Sequence, residues 1–304
     1  MSDMRVTIAG VELKNPVIAA SGTFGYGMEY NEFYPVSRLG GISCKGTTLK
    51  ERQGNPPSRI AETPAGMLNS VGLQNPGVDQ FLSVYLPWLL QQDTVVIANM
   101  AGSTLEDYAA MAERLDASDV HMVELNISCP NVKKGGASFG TSCESVEQVT
   151  AEVRRRCRKP LIVKLTPNVT SIGDIAAAAE AAGADALSLI NTLTGMRIDL
   201  KTRRPILHNN TGGLSGPAVF PVAVRMVREV YKRVKVPLIG MGGIASWEDA
   251  AEMMIAGAAA VQVGTANFRN PMAMPEIIDG LERYARQLGL SCISELTGTV
   301  EEWA

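Results

Sequence analysis

LIVKLTPNVTSIGDIAAAAEAAGADALSLIN, residues 161–191, opens and closes on apolar, β-rich runs, Leu161–Thr166 and Ala186–Asn191. An alanine-rich helical segment at 171–182 separates them, so the stretch reads as strand, crossover helix, strand. The same alternation extends both ways. Val17–Ala20, Gly41–Lys45, Thr94–Asn99 and Met122–Ile127 read as strands upstream, and Pro237–Met241 and Ala260–Gly264 downstream, which makes eight. Helical patterns at 103–116, 144–158, 217–233, 246–256 and 271–288 fall between or after them. Cap signals open several: Ser103 with Glu106, Ser145 with Gln148, Ser246 with Asp249. Residues 5–14, turning about Gly10, read as an N-terminal β-hairpin.

Eight strands alternating with helices predict the α/β class, specifically a (β/α)8 TIM barrel forming one domain over residues 1–304. An open doubly wound sheet would place a G-x-G-x-x-G turn after its first strand, and GTFGYG at 22–27 has the wrong spacing. The connections 46–76 and 192–216, after strands 2 and 6, are too long for simple turns, and 127–140 after strand 4 is a polar loop. All three follow strand C-termini, where barrels build their sites, so they read as walls or lids of a site.

Composition narrows the function. Hydrophobic residues make up 46% and charged residues 19%, enough for a large core. A net charge of -3, no basic run and 5% aromatics argue against nucleic acid. No apolar stretch is long enough for a bilayer and the N-terminus is not a signal peptide. Five cysteines without a CxxC pair suit a reducing cytoplasm and offer no zinc or iron–sulfur site, and two histidines make a histidine metal site improbable. No metal is expected.

At the strand ends sit Ser21, Lys45, Asn99, Asn126, Lys164, Asn191, Gly242-Gly243 and Gly264-Thr265. Glycines after strands 7 and 8 bare backbone N–H groups where barrels bind phosphate, although one pair alone could simply make a tight turn. Lys45 and Lys164 interrupt apolar strands; a lysine there either reaches the rim or faces an anion. Asn69, Asn99, Asn126, Asn131 and Asn191 can each donate and accept, which suits a ring of alternating carbonyl and N–H groups. Cys129, at the break between strand and loop before Pro130, is a candidate base, with an ordinary thiol pKa of about 8.5. Cys44, Cys143, Cys157 and Cys292 read as small packed hydrophobes. His121 reads as a strand start and His208 as an exposed loop residue.

NISCPNVKKGG (126–136), SGTFGYG (21–27), CKGTT (44–48), NSVGLQNPG (69–77), NTLTG (191–195), GGLSGPA (212–218), MGGI (241–244) and VGTANF (263–268) together resemble the dihydroorotate dehydrogenases, from about residue 5 to the C-terminus. Cysteine in the SCPN loop resembles class 1, and CPNVKKGG followed by FG resembles class 1B, the NAD-linked form. The resemblance implies one FMN per chain and oxidation of (S)-dihydroorotate to orotate in pyrimidine biosynthesis. Cys129 would take the proton from C5 while hydride leaves C6 for flavin N5. It places Ser21, Lys45, Gly46, Asn99, Asn126, Lys164, Ile190, Gly216, Gly242, Gly243, Gly264 and Thr265 on FMN. It places Lys45, Asn69, Ser70, Val71, Gly72, Leu73, Asn126, Asn131, Asn191 and Thr192 on orotate, with 127–140 as the lid.

The chain has no nicotinamide fingerprint, so the resemblance implies a partner subunit carrying FAD and a 2Fe-2S cluster that meets NAD, with a homodimer of this chain inside a heterotetramer. The alternatives are a class 1A-like homodimer that reduces fumarate, and a non-catalytic FMN relay subunit.

Overall fold

The runs rich in Val, Ile and Leu become barrel staves because both of their faces are covered, one by the barrel interior and the other by helices. The computed structural model describes residues 2–128 and 139–303. In it β1 (Val17–Ala19), β2 (Gly41–Ser43), β3 (Val95–Met100), β4 (Met122–Asn126), β5 (Leu161–Lys164), β6 (Ala186–Leu189), β7 (Leu238–Met241) and β8 (Ala260–Val263) form a closed parallel barrel. The strands follow chain order, and Gln262 of β8 opposite Ile18 of β1 closes the ring. Every strand residue except Val95 is buried.

Around the barrel lie α1 (Leu105–Asp116), α2 (Cys143–Arg156), α3 (Ile172–Ala181), α4 (Phe220–Tyr231), α5 (Trp247–Ala256) and α6 (Ala273–Gln287). After β1, two short 3-10 turns, Tyr30–Glu32 and Val36–Arg38, stand where a helix would be. After β2, residues 78–89 form a helical run with a π stretch at Phe81–Tyr85. The sequence hides this run: it starts from Gly77, without a capping side chain, and contains Pro87. No helix among the described residues is long and apolar enough to cross a membrane.

One of the three cap assignments holds. At α5, Asp249 N–H donates to Ser246 Oγ (3.3 Å) and Ser246 N–H donates back to Asp249 Oδ2 (3.0 Å). At α1 the cap is Thr104 with Asp107, not Ser103 with Glu106, and at α2 it is Ser142, not Ser145. The cap must be the residue still extended, and Thr104 (φ -135°) and Ser142 (φ -134°) are those residues.

The hairpin pairs Val6–Ile8 with Val11–Leu13 through Ala9 (φ 49°) and Gly10 (φ 81°), two positive φ values that match the twist of the strands. Val6, Ile8 and Leu13 join the core. Beside it, at the N-terminal end of the barrel, a cavity of about 420 Å³ is lined by Lys14, Asp93, Thr94 and His121 among others. His121 precedes β4 and its Nδ1 accepts Val96 N–H at 3.0 Å. His208 is exposed. Cys44 and Cys157 are buried as expected, whereas Cys143 is exposed and Cys292 half-exposed, because each lies at the start of a helical turn rather than on a packed face.

The two long connections are not plain loops. Ile60–Thr63 and Gly66–Asn69 come from the first, Leu193–Gly195 and Gly212–Ser215 from the second, and together they make a four-stranded antiparallel sheet. These strands are short, three of the four contain glycine, and their central pairing joins Leu68 to Leu214. No local pattern announces such a partner.

Two substitutions probe this scaffold in denaturant. Ser246→Ala should lower unfolding free energy by about 1 kcal/mol by uncapping α5. Gly280→Ala should cost more, about 1–3 kcal/mol, through overpacking. A Cβ there would lie 2.2 Å from Trp247 Cγ, at the contact between α6 and α5.

Candidate active site

Alternation along β4 sends Glu124 and Asn126 to the same, inward side. Asn126 stands at the strand's end, and its neighbour across the ladder is Lys164 at the end of β5. Glu124 is fully buried, at 0% exposure. Such a carboxylate is tolerated only with donors around it. It has four, from four other strands: Ser43 Oγ (2.6 Å), Asn99 Nδ2 (2.6 Å), Ser188 Oγ (2.8 Å) and Gln262 Nε2 (2.8 Å). Burial alone would push the Glu124 carboxyl up. The Lys164 charge and the hydrogen bonds from Ser43, Asn99 and Gln262 outweigh it and hold the carboxyl below its ordinary range. The sequence reading missed Glu124, although VELN carries the same signal that drew attention to Lys164, a charge inside an apolar strand.

The carboxylate accepts and cannot donate, so Asn99 and Gln262 must turn their NH2 groups to it. Their oxygens then face elsewhere, and both are buried with no partner among the described residues. Asn99 Oδ1 faces Gly46, where a Cβ would come within 2.9 Å of it and 3.5 Å of Leu73 Cδ2. Lys45 is half-buried beside Gly46, its N–H bonded to Gly25 O at 2.9 Å, while Lys164 is 5% exposed.

The glycine positions converge on the same end of the barrel. A Cβ on Gly242 would lie 3.1 Å from Ile190 Cγ1, and one on Gly243 2.9 Å from Gly216 O. A Cβ on Gly216 would be 3.6 Å from Thr265 Cγ2, and one on Gly264 3.6 Å from Ala20 Cβ, next to Ser21. Gly242 (φ 122°) and Gly243 (φ 83°) hold a conformation that larger residues resist. Among the described residues, the N–H groups of Gly243, Gly264 and Thr265 find no acceptor. Thr265 Oγ1 donates to Ser215 Oγ at 2.8 Å.

Amides line the opposite side. Asn126 Oδ1 accepts from Ser128 N–H (3.2 Å) and Ser128 Oγ (2.6 Å), and Asn191 Nδ2 donates to Ser128 Oγ. Thr192 N–H donates to Asn191 Oδ1 (2.7 Å), and Asn168, which the sequence reading did not single out, donates to Thr192 O (3.0 Å). Tyr108 Oη donates to Asn126 O at 2.8 Å. Asn69 comes in on the antiparallel sheet, Nδ2 at 3.4 Å from Gly213 O. The 70–73 turn is tied down by Ser70 N–H to Arg59 O (2.7 Å) and Asn55 N–H to Val71 O (3.0 Å). Gly72 (φ 76°) and Leu73 (φ 56°) shape it, and Ser70 Oγ is buried without a partner among the described residues. Cys129 and Asn131 lie outside the described residues. Ser128, the chain neighbour of Cys129, is held at the mouth by Asn126 and Asn191.

A closed (β/α)8 barrel whose mouth gathers a glycine-lined wall, two lysines and a group of amides has the layout in which barrel enzymes build their sites. Comparison with known proteins gives the particular family. The dihydroorotate dehydrogenase family model matches residues 3–284. The chain is 54% identical over 300 residues to a protein of Petrotoga mobilis, covering 99% of this chain and 100% of that one. It is 56% identical over 296 residues to one of Alkaliphilus oremlandii, covering 97% and 98%, and 55% identical over 299 residues to one of Anoxybacillus flavithermus, covering 98% and 96%. All three relatives are named dihydroorotate dehydrogenase B (NAD(+)), catalytic subunit. The chain belongs to the dihydroorotate dehydrogenase family.

The depressed Glu124 carboxyl makes stability depend on pH. Its contribution is full above the ordinary value of 4.5 and is lost as pH falls from there through the lower folded value. Thermal melts of the wild type should therefore fall more steeply below that pH than those of Glu124→Gln. At neutral pH the variant should be about 3 kcal/mol less stable.

Proposed function

We propose that this chain is the FMN-bearing catalytic subunit of an NAD-linked, class 1B dihydroorotate dehydrogenase, oxidising (S)-dihydroorotate to orotate in pyrimidine biosynthesis in the cytoplasm. The observation that carries the reading is the mouth itself, where Asn99 Oδ1, against Gly46, and Ser70 Oγ are buried without a partner among the described residues in a chain of this family. Buried polar atoms without partners are rare and fit groups that a ligand supplies.

FMN fits the residues present. The N–H groups of Gly243, Gly264 and Thr265 suit its phosphate, with Gly216, Gly242 and Ile190 leaving room beside it and Ser21 on the neighbouring edge. Asn99, Asn126 and Gly46 suit the polar edge of the ring, and the Lys45 and Lys164 ammonium groups favour the negative charge that reduction adds. When bound, FMN supplies the hydride acceptor for C6 of the substrate.

The chain's own residues do the rest. Asn69, Asn126, Asn131, Asn191, Thr192 and the turn Ser70, Val71, Gly72, Leu73 hold the flat acid through its alternating carbonyl and N–H groups, and Lys45 meets its charge. Cys129 Sγ, as thiolate, accepts the proton from C5. The antiparallel sheet and the 127–140 segment keep water from the reacting atoms. A homodimer of this chain within a heterotetramer, with a partner carrying FAD and a 2Fe-2S cluster, delivers the electrons to NAD.

Cys129→Ala should slow flavin reduction by dihydroorotate by about 10²–10⁴-fold with FMN still bound, measured by stopped-flow absorbance. Unchanged reduction would remove the cysteine from the mechanism. Fast turnover by the chain alone with fumarate, and no NAD reduction when the partner is added, would move the assignment to class 1A.

A further inference from the structure

We infer that Glu124 is a positioning residue for the redox step, its carboxylate set inside the barrel as the counter-charge to Lys164 and as the anchor that turns the Asn99 oxygen toward the flavin edge. The inference rests on the FMN reading above and assigns a role to a fully buried residue that belongs to neither the cofactor set nor the substrate set proposed there.

The usual content of this barrel layer is branched aliphatic. Here Ser43, Asn99, Glu124, Ser188 and Gln262 replace it with a polar set whose hydrogen bonds all end on one carboxylate. That arrangement is costly as packing, since a buried carboxylate repays its lost hydration only against donors and an opposite charge. It has consequences as electrostatics. Asn99 is a ladder neighbour of Glu124, and Lys164 is a ladder neighbour of both Asn126 and Ser188, one of the carboxylate's donors. The acceptor-only carboxylate fixes the Asn99 amide with its nitrogen inward, which leaves Oδ1 against Gly46 at the mouth.

Glu124 also balances Lys164. A lone ammonium at the barrel mouth would favour the reduced form of a bound flavin strongly and retain its electrons. The carboxylate cancels part of that field and lowers the potential, so that electrons pass on to the next carrier. Such effects act over several ångströms in a dry interior.

The test uses the full chain reconstituted with FMN, in Glu124→Gln, Lys164→Met and the double variant. Dye-coupled titration reads the midpoint potential, flavin fluorescence quenching reads affinity for oxidised FMN, and circular dichroism reports folding. Glu124→Gln should raise the preference for reduced over oxidised FMN roughly tenfold, about 30 mV for a two-electron couple. Lys164→Met should shift it the other way by a similar factor, and the double variant should return close to wild type. A purely structural role would weaken both redox forms alike and give no opposed signs. If FMN binds and the Glu124→Gln potential is unchanged, or all variants shift in one direction, the inference is overturned. Should Glu124→Gln fail to fold, the double variant, which leaves no lone buried charge, decides. A potential above that of Lys164→Met supports the role, and an equal one removes it. A wild-type chain that binds no FMN would defeat the functional reading itself, and the inference with it.

Discussion

The carboxylate of Glu124 is the constraint on which the barrel's interior turns. A fully buried anion accepts only an environment that surrounds it with donors and a positive charge, and five strands contribute side chains to that environment. The rest of the polar mouth follows from this demand. Asn99 must present nitrogen downward and oxygen upward, Lys164 has a reason to be in the barrel rather than at its rim, and Asn126 closes the next layer on the same stave. The polar mouth thus stands on a layer already organised by charge.

The barrel was legible because strand and helix patterns are local. Leu161–Thr166 and Ala186–Asn191 outrun β5 and β6 by two residues each, and that excess lies at the rim. Leu165 N–H still bonds to Ser188 O (2.8 Å) and Asn191 N–H to Leu165 O (3.0 Å), so ladder-like bonding continues as the backbone leaves the barrel. Lys45, Asn99, Asn126, Lys164 and Asn191 stand out in the sequence because a polar residue ending an apolar run is conspicuous. Ser70–Leu73 and Thr192 came only through family motifs, since nothing in their own chemistry sets them apart.

What stayed hidden depended on distant partners. The helical run at 78–89 has no cap to announce it, and the strands at 60–63, 66–69, 193–195 and 212–215 exist only through one another. Asn168 looks like a turn residue until Thr192 and Thr194 fold onto it, the latter donating to Asn168 Oδ1 at 2.9 Å. Glu124 was visible as an oddity, but its meaning required knowing that Ser43, Asn99, Ser188 and Gln262 face the same point.

The antiparallel sheet joins residues 60–69 to residues 193–215 in a single plate. Leu68 sits opposite Leu214 and Asn69 opposite Gly213, and a Cβ on Gly213 would strike Thr192 Oγ1. Neither flap can therefore be lengthened, shortened or tilted by itself, because the other is hydrogen-bonded to its edge. Sequence change in either flap would have to proceed by paired substitutions across that seam.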